Sequence, residues 1–209
     1  MAPLGERLLV LGTRNRKKAS ELVQLLAPYG FLLQTLADLP ASVEVKETGQ
    51  TFAENAALKA TLQARHLGTW VLGEDSGLCV DALGGAPGVL SARFSGPNAT
   101  DESNNRRLLA ELEGVPGPRR TAHYVCHMVL SDPQGQIRAE CEGCCHGRIR
   151  FQPAGTAGFG YDPLFEVIEY HRTFGELGDS VKGILSHRAR SLRALVPQLI
   201  LLVQSGQWP

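Results

Sequence analysis

The sequence predicts an α/β domain built on a mixed, twisted β-sheet flanked by helices, and three observations carry that expectation. Short apolar runs alternate with helix-periodic stretches through the first 75 residues. Two long strand-like segments then flank a Pro-Gln-Gly turn, and helical spacing returns near the C-terminus. Taken in order, residues 7–12 (RLLVLG) form an apolar run ending in glycine, the profile of a buried strand. From Lys17 to Leu26 the spacing turns helical, with Leu22, Leu25 and Leu26 on one stripe. Residues 31–36 (FLLQTL) read as a second strand. Residues 51–66 are alanine-rich and helical, with Thr51 and Glu54 at capping-box spacing. Residues 69–75 (TWVLGED) are a third strand with Glu74 and Asp75 at its end, and the glycine- and proline-rich 77–100 reads as loop with a short strand.

Thr100 or Asp101 opens a helix to about Leu112. Residues 121–132 and 136–149 form a long antiparallel hairpin, followed by a glycine-rich loop at 153–163. Residues 186–203 close the chain as a helix that Pro197 could kink or interrupt. With no repeat, low-complexity tract or linker, the expectation is a single domain over residues 1–209, with tails at 1–6 and about 204–209.

Composition excludes several classes of partner. The 209 residues are 43% hydrophobic and 20% charged, ordinary for a globular chain. Twenty-one basic and 21 acidic residues cancel, so there is no basic surplus for nucleic acid, although a small anion needs only a few donors. No apolar run reaches the roughly 18 residues of a membrane span, and Glu6 before a short apolar run makes a poor signal peptide. The five cysteines are odd in number, which argues against a disulfide framework and for a reducing, cytoplasmic setting. Cys141 and Cys144 have zinc-like spacing. Cys145 and His146 lie too near them to close a tetrahedron, however, and no second CxxC exists, so zinc is not expected.

Four constellations could carry chemistry. Residues 12–18 (GTRNRKK) join a strand to a helix, and such turns offer backbone N–H groups and a positive helix end to phosphate, with Thr13, Asn15 and Lys18 as side-chain contacts. P-loop spacing is absent, and an ordinary helix cap is the other reading. Glu47 and the adjacent Glu74 and Asp75 offer hard oxygen ligands to magnesium, or a carboxylate to orient a water; a polar turn at DSG is the alternative. In residues 155–163 (GTAGFGYDP), Phe159 and Tyr161 give flat faces and Asp162 an acceptor that could hold a base, or the aromatics could cover the core. Lys182, His187 and Arg188 gather donors at the front of a helix, where cations oppose the macrodipole; that conflict points to an anion or a keto-bearing base.

In this order the blocks resemble the inosine/xanthosine triphosphate pyrophosphatase family, the Ham1-like enzymes, over about residues 8–200. The matching pieces are Thr13–Lys18, ETGQTFAENAALKA (47–60), EDSGLCVDALGGAPGVLSAR (74–93), GFGYDP (158–163) and KGILSHR (182–188). The resemblance implies an elongated, two-lobed α/β fold with a substrate cleft between the lobes, usually a homodimer. It implies that Thr13, Asn15, Lys18 and Lys59 contact phosphate and that Glu47, Glu74 and Asp75 surround magnesium. It further implies Asp75 as catalytic base, Ser76 as a substrate contact and Phe159, Gly160, Tyr161 and Asp162 as the base-recognition loop. Lys182, His187 and Arg188 would read the keto edge. Arg14, Lys17, Glu74 and Ala157 depart from the residues common in the family without removing a proposed functional group. The implied reaction converts non-standard purine nucleoside triphosphates to monophosphate and pyrophosphate. A Maf-like pyrophosphatase for dTTP, UTP or modified pyrimidines is one alternative, and a non-catalytic nucleotide sensor another.

Overall fold

The computed structural model describes residues 7–209; the expected tail at 1–6 lies outside the described residues. Its strands are β1 (Leu8–Leu11), β2 (Leu32–Thr35), β3 (Val71–Val80), β4 (Thr121–Ser131), β5 (Ile137–Ile149), β6 (Phe165–Val167) and β7 (Arg172–Thr173). Its helices are α1 (Arg16–Leu26), α2 (Phe52–Leu67), α3 (Asp101–Glu111), α4 (Phe174–Leu185) and α5 (His187–Gln204). The strand order is β2-β1-β3-β4-β5-β6-β7. β1 runs parallel to β2 and β3, whereas β6 runs antiparallel to β5 and β7, so the sheet is mixed as expected.

The chain divides into two compact units. One holds the described residues up to Asp75 with Cys126–Gly143 and Arg190–Pro209; the other holds Ser76–Val125 and Cys144–Ala189. In the first unit, Leu9 and Leu11 of β1, Leu22 and Leu26 of α1, Leu72 of β3 and Leu195 and Leu199 of α5 share one core. The apolar stripe read from the sequence of α1 is therefore its buried face. Thr51 caps α2 by accepting from Glu54 N, but Glu54 returns its carboxylate to Gln50 N, one residue earlier than a capping box requires. Ala56, Ala60 and Ala64 bury the face of α2. Opposite them, a β-carbon at Gly73 would come within 3.0 Å of Ala56 O, Ala60 N and Ala60 Cβ, so only glycine allows this approach.

The second unit packs Leu78, Val80, Leu108, Leu112, Tyr124, Ile149, Phe165 and Phe174 together. Thr100 caps α3 in a full capping box with Ser103. Two expectations change here. β3 does not end at Asp75: it continues to Val80, leaving Glu74 and Asp75 inside the strand. Gly77 resembles a breaker, yet Leu78 and Val80 are fully buried, and their N–H groups bond Ser91 Oγ and Ala86 O. The second correction is α4, with β6 and β7 before it, where no regular elements were expected. Its glycines, one of them kinking the helix at Gly178 (φ 77°), break the helical pattern, although Thr173 and Glu176 form a complete capping box. Lys182 therefore lies in the last turn of α4, and only His187 and Arg188 open α5.

α5 runs through Pro197 without a break. After it, in the stretch read as a tail, Trp208 stacks on Trp70 (centroids 4.5 Å) and Phe31 (5.3 Å) and is 1% exposed. Trp208→Ala is expected to cost about 3–5 kcal/mol through the cavity it leaves. Urea denaturation measures this, and a loss below about 1 kcal/mol would mean that the stack contributes little to the core.

Candidate active site

The residues singled out from sequence fall into two groups, one in each unit. In the first unit, β1 ends at Leu11 and the chain turns through Thr13 into α1. Thr13 Oγ1 accepts from Asn15 N (3.2 Å), and the Asn15 carboxamide oxygen caps α1 by accepting from Lys17 N and Lys18 N (3.0 and 3.1 Å). Those two N–H groups are thus already satisfied, and Lys18, one of the cations of this turn, places Nζ 3.7 Å from Glu74 Oε1. Glu74 is fully buried, and the Cys126 thiol approaches the same oxygen at 3.6 Å.

Lys59 of α2 lies between two carboxylates, 2.8 Å from Asp75 Oδ1 and 3.2 Å from Glu47 Oε1. Burial alone would push its pKa down. The charges of Asp75 and Glu47, the hydrogen bond to Asp75 and the charge of Glu74 more than offset that, so the ammonium is held above the ordinary lysine value. Sequence reasoning did not single out Asn55, which is fully buried one helical turn before Lys59. Its amide donates to Asp75 Oδ2 (3.3 Å) and Gly49 O (3.4 Å) and accepts from Gly49 N (2.9 Å). Two amides, Asn55 and Gln63, on a buried face otherwise made of alanine were the available signal.

Glu47 belongs to a segment without regular structure between β2 and α2, held from several sides. Arg14 donates to Ser42 O and Oγ (3.1 and 3.0 Å), the Gln63 amide bonds both backbone groups of Val43, and Asn55 bonds Gly49.

The second group surrounds Asp162. This carboxylate is almost fully buried; its Oδ2 accepts from Lys182 Nζ (2.6 Å) and Phe159 N (2.8 Å), while Tyr124 OH lies 3.5 Å from Oδ1. Gly158 has φ 75° and passes so close to Asp162 that a β-carbon would collide with the carboxylate. Lys182 Nζ also sits 4.0 Å from the centroid of the half-buried Phe159 ring, a cation–π contact. Tyr161 is buried and donates to Ser91 O (2.8 Å); burial pushes its phenol pKa up. Gly160 O accepts from the Asn105 amide (2.8 Å). His187 stacks on Tyr124, with centroids 4.6 Å apart and an interplanar angle of 11°. Arg188, 1% exposed, donates to Ser76 Oγ (3.0 Å).

The model of the Ham1 family matches residues 9–198 of this chain. The chain belongs to the Ham1 family. Among relatives of this Ham1 family member, the dITP/XTP pyrophosphatase of Rhodopirellula baltica is 55% identical over 198 residues, 95% of each chain. A HAM1 protein structure from Coxiella burnetii has a TM-score of 0.83 at 34% identity, covering 95% of this chain and 99% of that one. The structure of a nucleoside-triphosphatase / dITP/XTP pyrophosphatase from Mycobacterium abscessus has a TM-score of 0.74 at 43% identity, covering 91% and 99%.

The donor chemistry around Asp75 fits magnesium, a hard cation that takes oxygen ligands. Among the described residues no three His, Cys, Asp or Glu side chains converge on a ready-made ion site.

Lys59→Met should lower stability by about 3 kcal/mol near neutral pH, because it leaves the buried Asp75 carboxylate without its cation. A raised folded pKa means that the lysine's contribution is complete below its ordinary value and lost as pH rises through the raised one. Denaturation of both proteins from pH 7 to 11 should therefore show a constant gap that narrows only above about pH 10. A gap already closed at pH 9 would contradict the assignment.

Proposed function

We propose that this chain hydrolyses non-standard purine nucleoside triphosphates (dITP, ITP and XTP) to the nucleoside monophosphate and pyrophosphate, with magnesium as cofactor. The observation that carries the reading is Lys59 seated between Glu47 and Asp75, with Lys18 directed at Glu74. Membership of the Ham1 family and relatives that bear the name dITP/XTP pyrophosphatase support it.

Glu47, Glu74 and Asp75 would hold the ion, and magnesium, when bound, supplies positive charge to the phosphate oxygens. Lys18 exchanges Glu74, and Lys59 part of its carboxylate coordination, for phosphate oxygens, with Thr13 and Asn15 as further phosphate contacts. Asp75 takes the proton of the attacking water. The water oxygen bonds the α-phosphorus as the bond to the pyrophosphate oxygen breaks, a displacement that relies on positioning and charge.

For the base, Phe159 is the stacking face, with Gly160, Tyr161 and Asp162 fixing its loop and Ser76 as a substrate contact. Lys182, His187 and Arg188 supply N–H donors toward the keto edge of hypoxanthine or xanthine. Adenine presents an amino group there. Each buried donor left unpaired costs about 1–3 kcal/mol, enough in pairs for discrimination of several hundredfold.

The same reading includes a homodimer in the cytoplasm, with neither nucleic acid nor membrane as partner. The balanced charge supports the absence of a nucleic-acid partner and the odd number of cysteines supports a reducing compartment, while the homodimer rests on the family resemblance alone. No helix of the described residues is long and apolar enough to cross a membrane.

Pyrophosphate release with magnesium from ITP, XTP, GTP, ATP, dTTP and UTP tests the proposal. Preference for ITP and XTP is expected; preference for dTTP or UTP, or no release at all, would refute it. Asp75→Asn should lower kcat by about 10³-fold in a folded protein that still binds nucleotide. Near-normal turnover would remove Asp75 from the role of base. Phe159→Ala should act mainly on KM, raising it about tenfold or more; unchanged kinetics would exclude stacking.

A further inference from the structure

Two buried amides of α2, Asn55 and Gln63, tie the segment that carries Glu47 to the helix, and they do so in the same manner. Each uses its carboxamide oxygen to accept a backbone N–H and its NH₂ to donate to the carbonyl of the same residue: Gly49 for Asn55, Val43 for Gln63. Only Asn55 has a further partner in the acidic cluster, because its NH₂ also reaches Asp75 Oδ2. An amide nitrogen has two hydrogens, so one Asn55 side chain can serve Gly49 O and Asp75 at once. Lys59 holds the other oxygen of Asp75, Oδ1. The carboxylate is thus gripped at both oxygens by groups one turn apart on a single helix, and Lys59 also reaches Glu47.

We infer that Asn55 is a positioning residue: it sets the plane of the Asp75 carboxylate and fixes the base of the Glu47 segment against it, so that the two carboxylates keep one geometry. The inference rests on the reading of Asp75 as the group that activates water. Each carboxylate oxygen keeps a second lone-pair direction after these bonds, so the clamp orients Asp75 without exhausting it. The aspartate needs such help because a short side chain on a strand has rotameric freedom about χ1 and χ2, and misplacement of about 1 Å can cost about a hundredfold in rate.

The test uses Asn55→Ser, Asn55→Asp and Gln63→Ser in the full chain, with ITP and magnesium for kinetics and neither present for amide exchange. Asn55→Asp keeps an oxygen for Gly49 N but loses the donor to Asp75. Asn55→Ser shortens the side chain and releases both. In both Asn55 variants kcat should fall by about a hundredfold while KM moves less than about threefold. Exchange at the Gly49 amide should speed up at least about tenfold in Asn55→Ser and stay near the unaltered rate in Asn55→Asp. Gln63→Ser should loosen the Val43 amide yet keep kcat within about threefold.

A kcat within about threefold of the unaltered chain in either folded Asn55 variant overturns the inference. So does a Gln63→Ser loss of kcat as large as that of Asn55→Ser, which would assign the effect to anchoring of the segment alone. If one Asn55 variant fails to fold, the other decides; if neither folds, Asn55 is a structural residue and the inference falls. Failure of the pyrophosphatase reading would show separately, as absent pyrophosphate release by the unaltered chain.

Discussion

Helix α2 meets strand β3 at Gly73, where the backbones come so close that a β-carbon would press into the Ala56 carbonyl and the Ala60 amide. Ala56, Ala60 and Ala64 keep the facing side of the helix equally thin. Seated there, α2 carries Asn55 and Lys59 on adjacent turns and Asp75 lies two residues along the strand, so both side chains meet the same carboxylate. Had the helix stood off by the usual width of a leucine, a lysine could still span the gap but an asparagine could not. Short polar contacts at the candidate site thus follow from a packing constraint set by one glycine and three alanines.

The second consequence is electrostatic. Glu74 and Asp75 are buried inside a strand, where ionised oxygens are costly unless cations and hydrogen-bond donors compensate. Lys18, Lys59, Asn55 and the Cys126 thiol all lie within reach of the pair. Parallel pairing with β1 accounts for Val71 and Leu72 only, and β1 then turns into the Thr13–Asn15 cap of α1. The loop at the end of β1 therefore delivers Lys18 to the acidic strand. The order β2-β1-β3 makes β1 the point from which the chain departs to either side, where open α/β sheets commonly place ligands.

Much of this was legible in the sequence because it rests on local signals. Thr51, Thr100 and Asn15 announce helix starts through short side chains that cap backbone N–H groups, and the stripe of Leu22, Leu25 and Leu26 points α1 at the core. The strand-like alternation on either side of the 133–135 turn likewise gave β4 and β5. Other features depend on partners distant in the chain. Gly77 looks like a break until Ser91 and Ala86 supply bonds to the strand beyond it. α4 was hidden by Gly175, Gly178 and Gly183, although Thr173 and Glu176 carry a capping box that a search for helix starts alone would detect. Trp208 is one aromatic residue in a polar stretch, and nothing local says that Phe31 and Trp70 leave a slot for it. Asn55 belongs to the same class, since its importance comes from Gly49 and Asp75 rather than from its neighbours on the helix.

Each unit contains a carboxylate held by a lysine and by a second N–H donor, and the difference between the two is informative. Asp162 is held by Lys182 and the Phe159 amide, and both members of this ion pair are at most 5% exposed. Separating them would leave a buried charge uncompensated, so the pair acts as a rigid frame that fixes the Phe159 amide and places an ammonium against its ring. Asp75 is held by Lys59 and Asn55, but Lys59 is shared with Glu47, whose side chain is one-third exposed. A lysine with two carboxylate partners, one of them open to solvent, can give up part of its coordination to an incoming anion without stranding either charge in the interior. The sealed pair is thus a scaffold for the Phe159 loop, and the shared pair suits the exchange with phosphate proposed for Lys59.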